Sequence, residues 1–242
     1  MEFLYVGRFD SLHESTQYLN EYTDYSSETQ LSNAYSTSRW LLRQEKFLEL
    51  SLQGQYPRPS NLRSFVEQLS IKSILDIGGG SGWVSTFLPT DTIYRNFELA
   101  DTRLHFCKKF DFHSQYISTM NEIHLFNPQL VYSNSVLQYF SDLGEFMDLL
   151  RVANPQHVLL DDLYLTSEKT FYSLQRYYET YIPTVFLNEV DFLEQMFELK
   201  YQKISEKEFT PILTQSMKQG IDLLNGEYTA IPISKSLTFS RL

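Results

Sequence analysis

Four glycines lie within five residues directly after a short apolar run, in the stretch SILDIGGGSGW at residues 73–83. Glycine lets a ligand approach the backbone closely, and the helix that follows such a turn has a partly positive N-terminus. The stretch therefore predicts a buried parallel strand, then a ligand-binding turn. The ligand of such a turn is a phosphate, a dinucleotide or another molecule that needs bare backbone.

Trp83 argues against the first two ligands. A phosphate-binding loop of the form G-x-x-x-x-G-K-[ST] that starts at Gly78 needs its second glycine where Trp83 stands, and no lysine follows Gly82. The dinucleotide pattern G-x-G-x-x-G/A also meets Trp83, at a position where a small residue lets the helix pack closely on the strand. Nucleoside triphosphates, NAD and FAD are therefore disfavoured.

The pattern that remains is D-x-G-x-G-x-G. It comprises Asp76, Gly78, Gly79, Gly80 and Gly82. It resembles motif I of the class I S-adenosyl-L-methionine (AdoMet) methyltransferases. AdoMet has no phosphate that would demand a lysine, and an acid at the end of the strand suits its cationic ammonium and sulfonium groups. The resemblance implies that AdoMet is the cofactor.

A second acid supports the same cofactor. Glu98 ends the next predicted strand, where its two oxygens can accept hydrogen bonds from both ribose hydroxyls. Asp101 is the alternative candidate for the ribose-binding acid. Phe112 and His113 fall at the third strand, where the adenine ring of this cofactor often lies; Phe112 can stack on it, and His113 is more simply a strand residue on a solvated face.

Short apolar segments alternate with helical ones from residue 60 onward, which predicts an α/β fold with a Rossmann-like, doubly wound, mostly parallel sheet of seven strands. The last strand is expected to be antiparallel. The predicted strands are 71–77, 92–98, 110–117, 129–134, 157–163, 201–207 and 234–240.

Two further segments flank this domain or interrupt it. Residues 1–56 are predicted to form an N-terminal helical cap, with helices at 11–20 and 29–52, neither of which has the pattern of a strand; Pro57 and Pro59 then mark the start of the domain at 57–242. A Tyr-rich insertion at about 166–184 has two interpretations, an acceptor-binding wall or lid and a helix that covers the sheet edge. The residues in question are Gln175, Arg176, Tyr177, Tyr178 and Tyr181, and Arg39 and Trp40 of the cap carry the same ambiguity.

Composition and net charge disfavour several classes of binding partner and cellular location. The chain has 242 residues and a net charge of −10, which disfavours nucleic acid as a partner and favours a small-molecule acceptor. Cys107 is the sole cysteine, and there is neither a signal-peptide pattern nor a run of about 18 apolar residues, so we expect a cytoplasmic protein without membrane insertion. The histidines show no metal-ligand spacing, so no metal is expected.

Segments outside the glycine turn resemble a methyltransferase family found in bacterial cell-surface polysaccharide gene clusters. The segments are YVGRFDSLHESTQYLNEYTDYSSETQL at 5–31, SNSVLQYFSDL at 133–143, LLDDLYL at 159–165 and IPTVFLNEVDFLEQMFELKYQ at 182–202. The matching N-terminal positions are Tyr5, Gly7, Phe9, Ser11, Glu14 and Tyr25, whereas Asp24 replaces a usual glycine. The resemblance implies methyl transfer far more strongly than it implies an acceptor.

Catalytic candidates lie at the carboxyl ends of the fourth and fifth strands, where open parallel sheets bind their ligands. Asn134 and Ser135 end the fourth strand and are predicted to contact the cofactor. Gln138 and Tyr139 follow; many small-molecule methyltransferases have a histidine where Tyr139 stands. One interpretation is that both side chains orient the acceptor. The other is that they are polar residues at the start of a helix, with the Tyr139 ring packed in the core.

Asp161 and Asp162 end the fifth strand, and strand alternation sends their side chains to opposite faces. Asp161 is the predicted base or hydroxyl-binding acid, or else a turn cap. The sequence thus predicts an AdoMet-dependent methyltransferase, with O-methylation of a sugar or activated-sugar acceptor in surface glycan biosynthesis favoured. The alternatives are a non-catalytic AdoMet-binding or scaffold protein of the same fold and a nicotinamide-dependent reductase.

Overall fold

A computed structural model of the chain describes residues 5–22, 38–56, 60–110, 115–140, 142–177, 180–208 and 232–242. The strands are β1 Tyr5–Phe9, β2 Ser73–Ile77, β3 Ile93–Phe97, β4 Tyr116–Ile117, β5 Leu130–Asn134, β6 His157–Thr166, β7 Phe171–Tyr177, β8 Thr180–Asn188, β9 Tyr201–Glu208 and β10 Ile233–Arg241. The helices are α1 Leu12–Tyr22, α2 Ser38–Leu52, α3 Leu62–Leu69, α4 Ala100–Phe110, α5 Met120–Phe126, α6 Leu143–Ala153 and α7 Glu189–Glu198.

The predicted α/β fold class is confirmed by the central sheet. Among the described residues this sheet has ten strands, three more than predicted. Seven of them run in the order β4-β3-β2-β5-β6-β10-β9, with parallel pairing from β4 to β6 and with β10 antiparallel to both β6 and β9; β8, β7 and β1 extend the sheet from β6. The connection from β2 leads to β3 on one side, whereas β5 pairs on the other side. This reversal of strand order places a crevice at the carboxyl end of β2, where the glycine turn begins.

Alternation along the strands divides the core between the two faces of the sheet. Leu75 and Ile77 of β2 belong to a cluster with α6 and α7, whereas Ile74 belongs to a second cluster with α2 and α3. Asp76 follows the same alternation as Ile74, and it therefore lies on the face that α2 and α3 cover.

Two segments differ from what the sequence led us to expect. Residues 5–9 form a strand at the start of the region predicted as a helical cap, ahead of its first predicted helix, and β1 pairs antiparallel with β7. Of the two interpretations of the insertion, the helix that covers the sheet edge is wrong: β7 and β8 form an antiparallel hairpin, and β8 joins the end of β6 through Leu165 and Leu187. Aromatic residues on β7 and both aromatic and β-branched residues on β8 explain the hairpin, because these residue types favour a pleated surface.

The strand predicted at 110–117 is also shorter than expected. Helix α4 continues to Phe110, and the strand is confined to Tyr116–Ile117. The part of the cap helix predicted at 29–37 lies outside the described residues, as do Phe112 and His113.

Candidate active site

The glycine turn uses backbone conformations and spaces that other residues do not fit. Gly78, Gly80 and Gly82 have φ angles of +71°, +58° and +70°, in the left-handed region that favours glycine. A Cβ atom on Gly79 would lie 2.4 Å from Asp76 Oδ2 and 2.7 Å from the Tyr94 hydroxyl. The turn therefore presents bare backbone at the end of β2, as the sequence predicts.

Asn96 fixes the shape of this turn, and the sequence analysis missed it. Its Nδ2 donates to the Gly80 carbonyl at 3.0 Å, and its Oδ1 accepts from the Gly79 N–H at 3.1 Å. The side chain is fully buried in β3, and the Tyr116 hydroxyl also donates to the Gly80 carbonyl. A polar residue at a core position of a strand, two residues before Glu98, is the signal that could have identified it.

Glu98 lies beside the turn, as expected. Its Oε2 accepts from the Gly80 N–H and its Oε1 from the Leu99 N–H, each at 2.7 Å. Burial raises the pKa of Glu98, and the two backbone donors oppose that effect. Asp101, the alternative candidate, lies exposed in the first turn of α4.

Asp76 is a buried acid without a cationic partner among the described residues that line the site. It is 2% exposed and accepts a hydrogen bond of 2.6 Å from the Tyr94 hydroxyl. Burial raises its pKa to about 8, the Tyr94 hydroxyl opposes this effect, and the charge of Glu98 adds to it. A cationic ligand beside Asp76 would favour its ionised form.

A small cavity lies between the turn, β5 and α2. Its lining residues are Gln44, Phe47, Asp76, Gly78, Gly79, Trp83, Val84, Tyr132 and Asn134. Trp83 is 5% exposed and packs edge-on against Phe47 and Tyr56, with ring centroids 5.9 and 5.1 Å away. The tryptophan that breaks both nucleotide-loop patterns is thus an apolar wall of this cavity.

Asp161 lies on the same face of the sheet and belongs to a network of hydroxyl groups. It accepts hydrogen bonds from Ser60 Oγ at 2.8 Å, from the Tyr132 hydroxyl at 3.2 Å and from Ser236 Oγ. Burial raises its pKa, and these three donors oppose the rise. Asn134 Nδ2 donates to the Tyr132 hydroxyl at 3.0 Å, so the network reaches the cavity wall.

Ser135 and Asp162 form a separate contact at the ends of β5 and β6. Both have positive φ angles, +58° and +56°, which are uncommon for residues with side chains. Ser135 Oγ contacts Asp162 and also lies 3.0 Å from Asn134 Oδ1. Asp162 therefore has partners other than those of Asp161.

Gln138 and Tyr139 lie in a 3₁₀ turn after β5. Gln138 is 1% exposed, and neither atom of its amide has a hydrogen-bond partner among the described residues. The Tyr139 hydroxyl donates to Gln175 Oε1 of β7 at 2.8 Å, and Thr184 of β8 bonds the same oxygen. The 3₁₀ turn that follows β5 is thus hydrogen-bonded to the β7–β8 hairpin.

The other residues that were predicted to form an acceptor-binding wall or lid differ in how far they are buried. Trp40 of α2 is buried and Arg39 is exposed. Tyr181 is half-buried on β8, whereas the side chains of Arg176, Tyr177 and Tyr178 lie outside the described part.

Among the described residues, no group of three or more His, Cys, Asp or Glu side chains could hold a metal ion. Within that same portion of the chain, no helix has both the length and the apolar character needed to cross a membrane.

Comparisons with known proteins found similarity only among solved structures: no family model matches the chain, and no curated protein matches it. One similar structure is the 1,6-didemethyltoxoflavin-N1-methyltransferase of Burkholderia thailandensis, with 1,6-didemethyltoxoflavin and S-adenosylhomocysteine bound (TM-score 0.49, 10% identity, 83% of this chain and 87% of that chain). Another is the N-terminal domain of EvdMO1 in the presence of S-adenosylhomocysteine and D-fucose (0.48, 11%, 74% and 80%). A third is an S-adenosylmethionine-dependent methyltransferase from Mesorhizobium loti (0.45, 13%, 71% and 91%). At these identities and TM-scores, the functional assignment rests on the residues of the site.

Proposed function

We propose that the chain is an AdoMet-dependent methyltransferase that acts on a small molecule. The observation that carries the proposal is the pair of acids, Asp76 and Glu98, on either side of a bare glycine turn at the carboxyl end of β2. The described residues that line the cavity include Asp76 and contain no Lys, Arg or His. A ligand with a cationic end and a ribose, and without a phosphate, fits this set of groups.

Each group then has a role toward the cofactor. Asp76 would face the ammonium group, Glu98 would accept hydrogen bonds from the ribose hydroxyls, and the backbone of Gly78 and Gly79 would allow close approach. When bound, AdoMet supplies a methyl group on a sulfonium that a nucleophile displaces in line. The chain's contribution is to orient the two reactants and to exclude water, for which Trp83 and Phe47 provide apolar walls.

For the acceptor we propose a sugar or activated-sugar hydroxyl, as in surface glycan assembly. A hydroxyl must lose its proton on O-methylation, and Tyr132 lines the cavity while its own hydroxyl donates to Asp161. The acceptor's proton can pass to the Tyr132 oxygen as Tyr132 passes its proton to Asp161, whose raised pKa suits it to hold that proton. Gln138 and Tyr139 would orient the acceptor.

Isothermal titration tests the cofactor. The folded chain is expected to bind AdoMet and S-adenosylhomocysteine and not NADH, and Gly80→Arg or Glu98→Ala is expected to weaken binding of both adenosyl ligands. Absence of binding by both ligands, in protein with a native circular dichroism spectrum, would refute the proposal. Binding of NADH instead would favour the reductase.

A non-catalytic AdoMet-binding protein is the second candidate, and one observation favours it. Every oxygen of Asp161 already accepts a hydrogen bond within the chain, so the proposed base has structural partners. Transfer of labelled methyl groups to a panel of glycosides and nucleotide sugars distinguishes the two candidates: turnover of any member supports the enzyme, and tight AdoMet binding without turnover supports the second candidate.

A further inference from the structure

Helix α2 lies directly against the glycine turn. Ser81 Oγ is buried and donates to the Gln44 carbonyl at 3.0 Å, and Gln44 Oε1 lies 3.5 Å from the Ser81 N–H. A Cβ atom on Gly80 would lie 2.4 Å from Gln44 Oε1. Bare backbone at Gly80 therefore admits the Gln44 side chain, which lines the same cavity as Asp76.

The charged residues of this cavity provide a partner for only one of the two charged groups at the methionyl end of AdoMet. The methionyl end of AdoMet carries an ammonium and a carboxylate, and the proposed function assigns the ammonium to Asp76. Among the residues lining the cavity there is no Lys, Arg or His that could bind the carboxylate. Among those lining residues only neutral N–H donors can bind it, and a carboxylate is strongly disfavoured where it is buried without hydrogen bonds.

Gln44 is the side chain best placed to donate. The Asn134 amide also lines the cavity, but one N–H of its Nδ2 donates to the Tyr132 hydroxyl and its Oδ1 accepts from Ser135 Oγ, so its orientation is fixed within the chain. The bonds of the Gln44 side chain to the turn involve Oε1, and its Nε2 has no bond to another described residue. Rotation of the amide by half a turn would also exchange the two ends without moving α2.

A second set of contacts holds α2 in this position. Glu45, the next residue, is buried and accepts from His105 Nε2 and from Lys109 Nζ of α4, each at 2.7 Å. These partners lower the pKa of Glu45, against the effect of its burial. Gln44 is thus presented to the turn by a helix that is fixed on its other side.

We infer that Gln44 is a specificity-determining residue that binds the carboxylate of the methionyl group of AdoMet through its Nε2. The inference rests on the proposed function and extends it to the cap region. It makes α2 part of the cofactor site, because the group that recognises one end of the ligand lies on that helix.

Two ligands that differ only in this carboxylate test the inference. They are S-adenosylhomocysteine and S-adenosyl-3-thiopropylamine, which retains the amine. By isothermal titration, the unaltered chain is expected to bind the first about tenfold more tightly, the size of effect of a hydrogen bond to a charged group. Gln44→Leu is expected to remove this preference by weakening only S-adenosylhomocysteine, and Gln53→Leu, exposed just beyond α2, serves as the matched control.

Gln44→Glu gives a second variant of nearly the same size, and its negative charge is expected to reverse the preference between the two ligands. Equal affinity of the unaltered chain for both ligands would overturn the inference, as would an equal loss for both in Gln44→Leu. Either result leaves the proposed function intact, provided that S-adenosylhomocysteine binds. Failure of the unaltered chain to bind S-adenosylhomocysteine at all would instead overturn both.

Discussion

The glycine turn and the β7–β8 hairpin both adjoin the carboxyl end of the sheet, but their polar groups differ in charge. Asp76 and Glu98 at the turn are acids, and burial raises the pKa of each. The polar groups toward the hairpin, namely Gln138, Tyr139, Gln175 and Thr184, are neutral and largely buried. Uncompensated acids favour a cationic ligand, whereas neutral donors and acceptors favour uncharged hydroxyl groups.

This difference separates two tasks within one crevice. Changes at the turn are expected to alter cofactor affinity, and changes toward the hairpin are expected to alter acceptor use or stability while leaving cofactor affinity intact.

Gly79→Val is expected to have the largest effect. Its Cβ would meet the Asp76 carboxylate and the Tyr94 hydroxyl, and both residues are buried and bonded to each other. We expect at least a 100-fold loss of S-adenosylhomocysteine affinity by titration, and about 2 kcal/mol of destabilisation in urea, as for other overpacked sites. Gly54→Ala is the control for affinity: a Cβ there meets nothing within 4 Å, so binding should be kept, whereas the φ of +77° strains any side chain at that position and should lower stability. Unchanged affinity in Gly79→Val would show that the ligand does not use the turn.

The pH dependence of cofactor binding is expected to be nearly as large. Because the pKa of Asp76 is raised to about 8, its carboxyl group is mostly neutral at pH 6 and must ionise to pair with an ammonium. Affinity should therefore rise by up to tenfold per pH unit from pH 6 to pH 8, with release of a proton on binding. Titrations in buffers of different ionisation enthalpy measure that proton, and Asp76→Asn should abolish both effects.

The same shift has the opposite sign for the stability of the ligand-free chain. Asp76 holds a proton in the folded chain between its ordinary pKa near 4 and the raised value of about 8, whereas the unfolded chain has lost it. The free energy of unfolding should therefore fall as pH rises through this range, and Asp76→Asn should reduce the fall. A stability that is flat with pH in both proteins would contradict the raised pKa.

Asn96→Leu is expected to give an intermediate effect. It removes both hydrogen bonds that hold the Gly79 N–H and the Gly80 carbonyl, and leaves these buried groups without that partner. We expect about 2 kcal/mol of destabilisation and about a tenfold loss of cofactor affinity, measured by urea unfolding and titration. Asn61→Ala is a suitable control, because Asn61 precedes α3 without a side-chain capping bond. If Asn96→Leu and Asn61→Ala changed stability and cofactor affinity equally, Asn96 would not be the residue that holds the turn in shape.

The two regions also differ in how far the sequence predicts them. Asp76, Glu98 and the glycines lie within contiguous segments whose pattern carries the chemistry, so their proximity followed from strand order alone. The hairpin contact between Tyr139 and Gln175 joins residues 36 positions apart, and β1 reaches β7 from the other end of the chain. Such pairing depends on which exposed edge a segment meets, and no local periodicity encodes that. Asn96 was missed for a related reason, because its role becomes visible only once β3 lies beside the turn.

Gln138→Leu is expected to have the smallest effect on the folded chain and the most selective effect on function. Leucine has nearly the same volume and removes an amide that has no partner among the described residues, so stability should be unchanged or should rise by about 1 kcal/mol. Affinity for S-adenosylhomocysteine should not change, whereas KM for an acceptor that the methylation panel identifies should rise about tenfold if the amide orients it. Gln175→Leu is the matched control toward the hairpin, because it breaks the bond from Tyr139 and should lower stability instead. A loss of cofactor affinity in Gln138→Leu would contradict the separation of the two regions, since the turn and the hairpin would then act as one site.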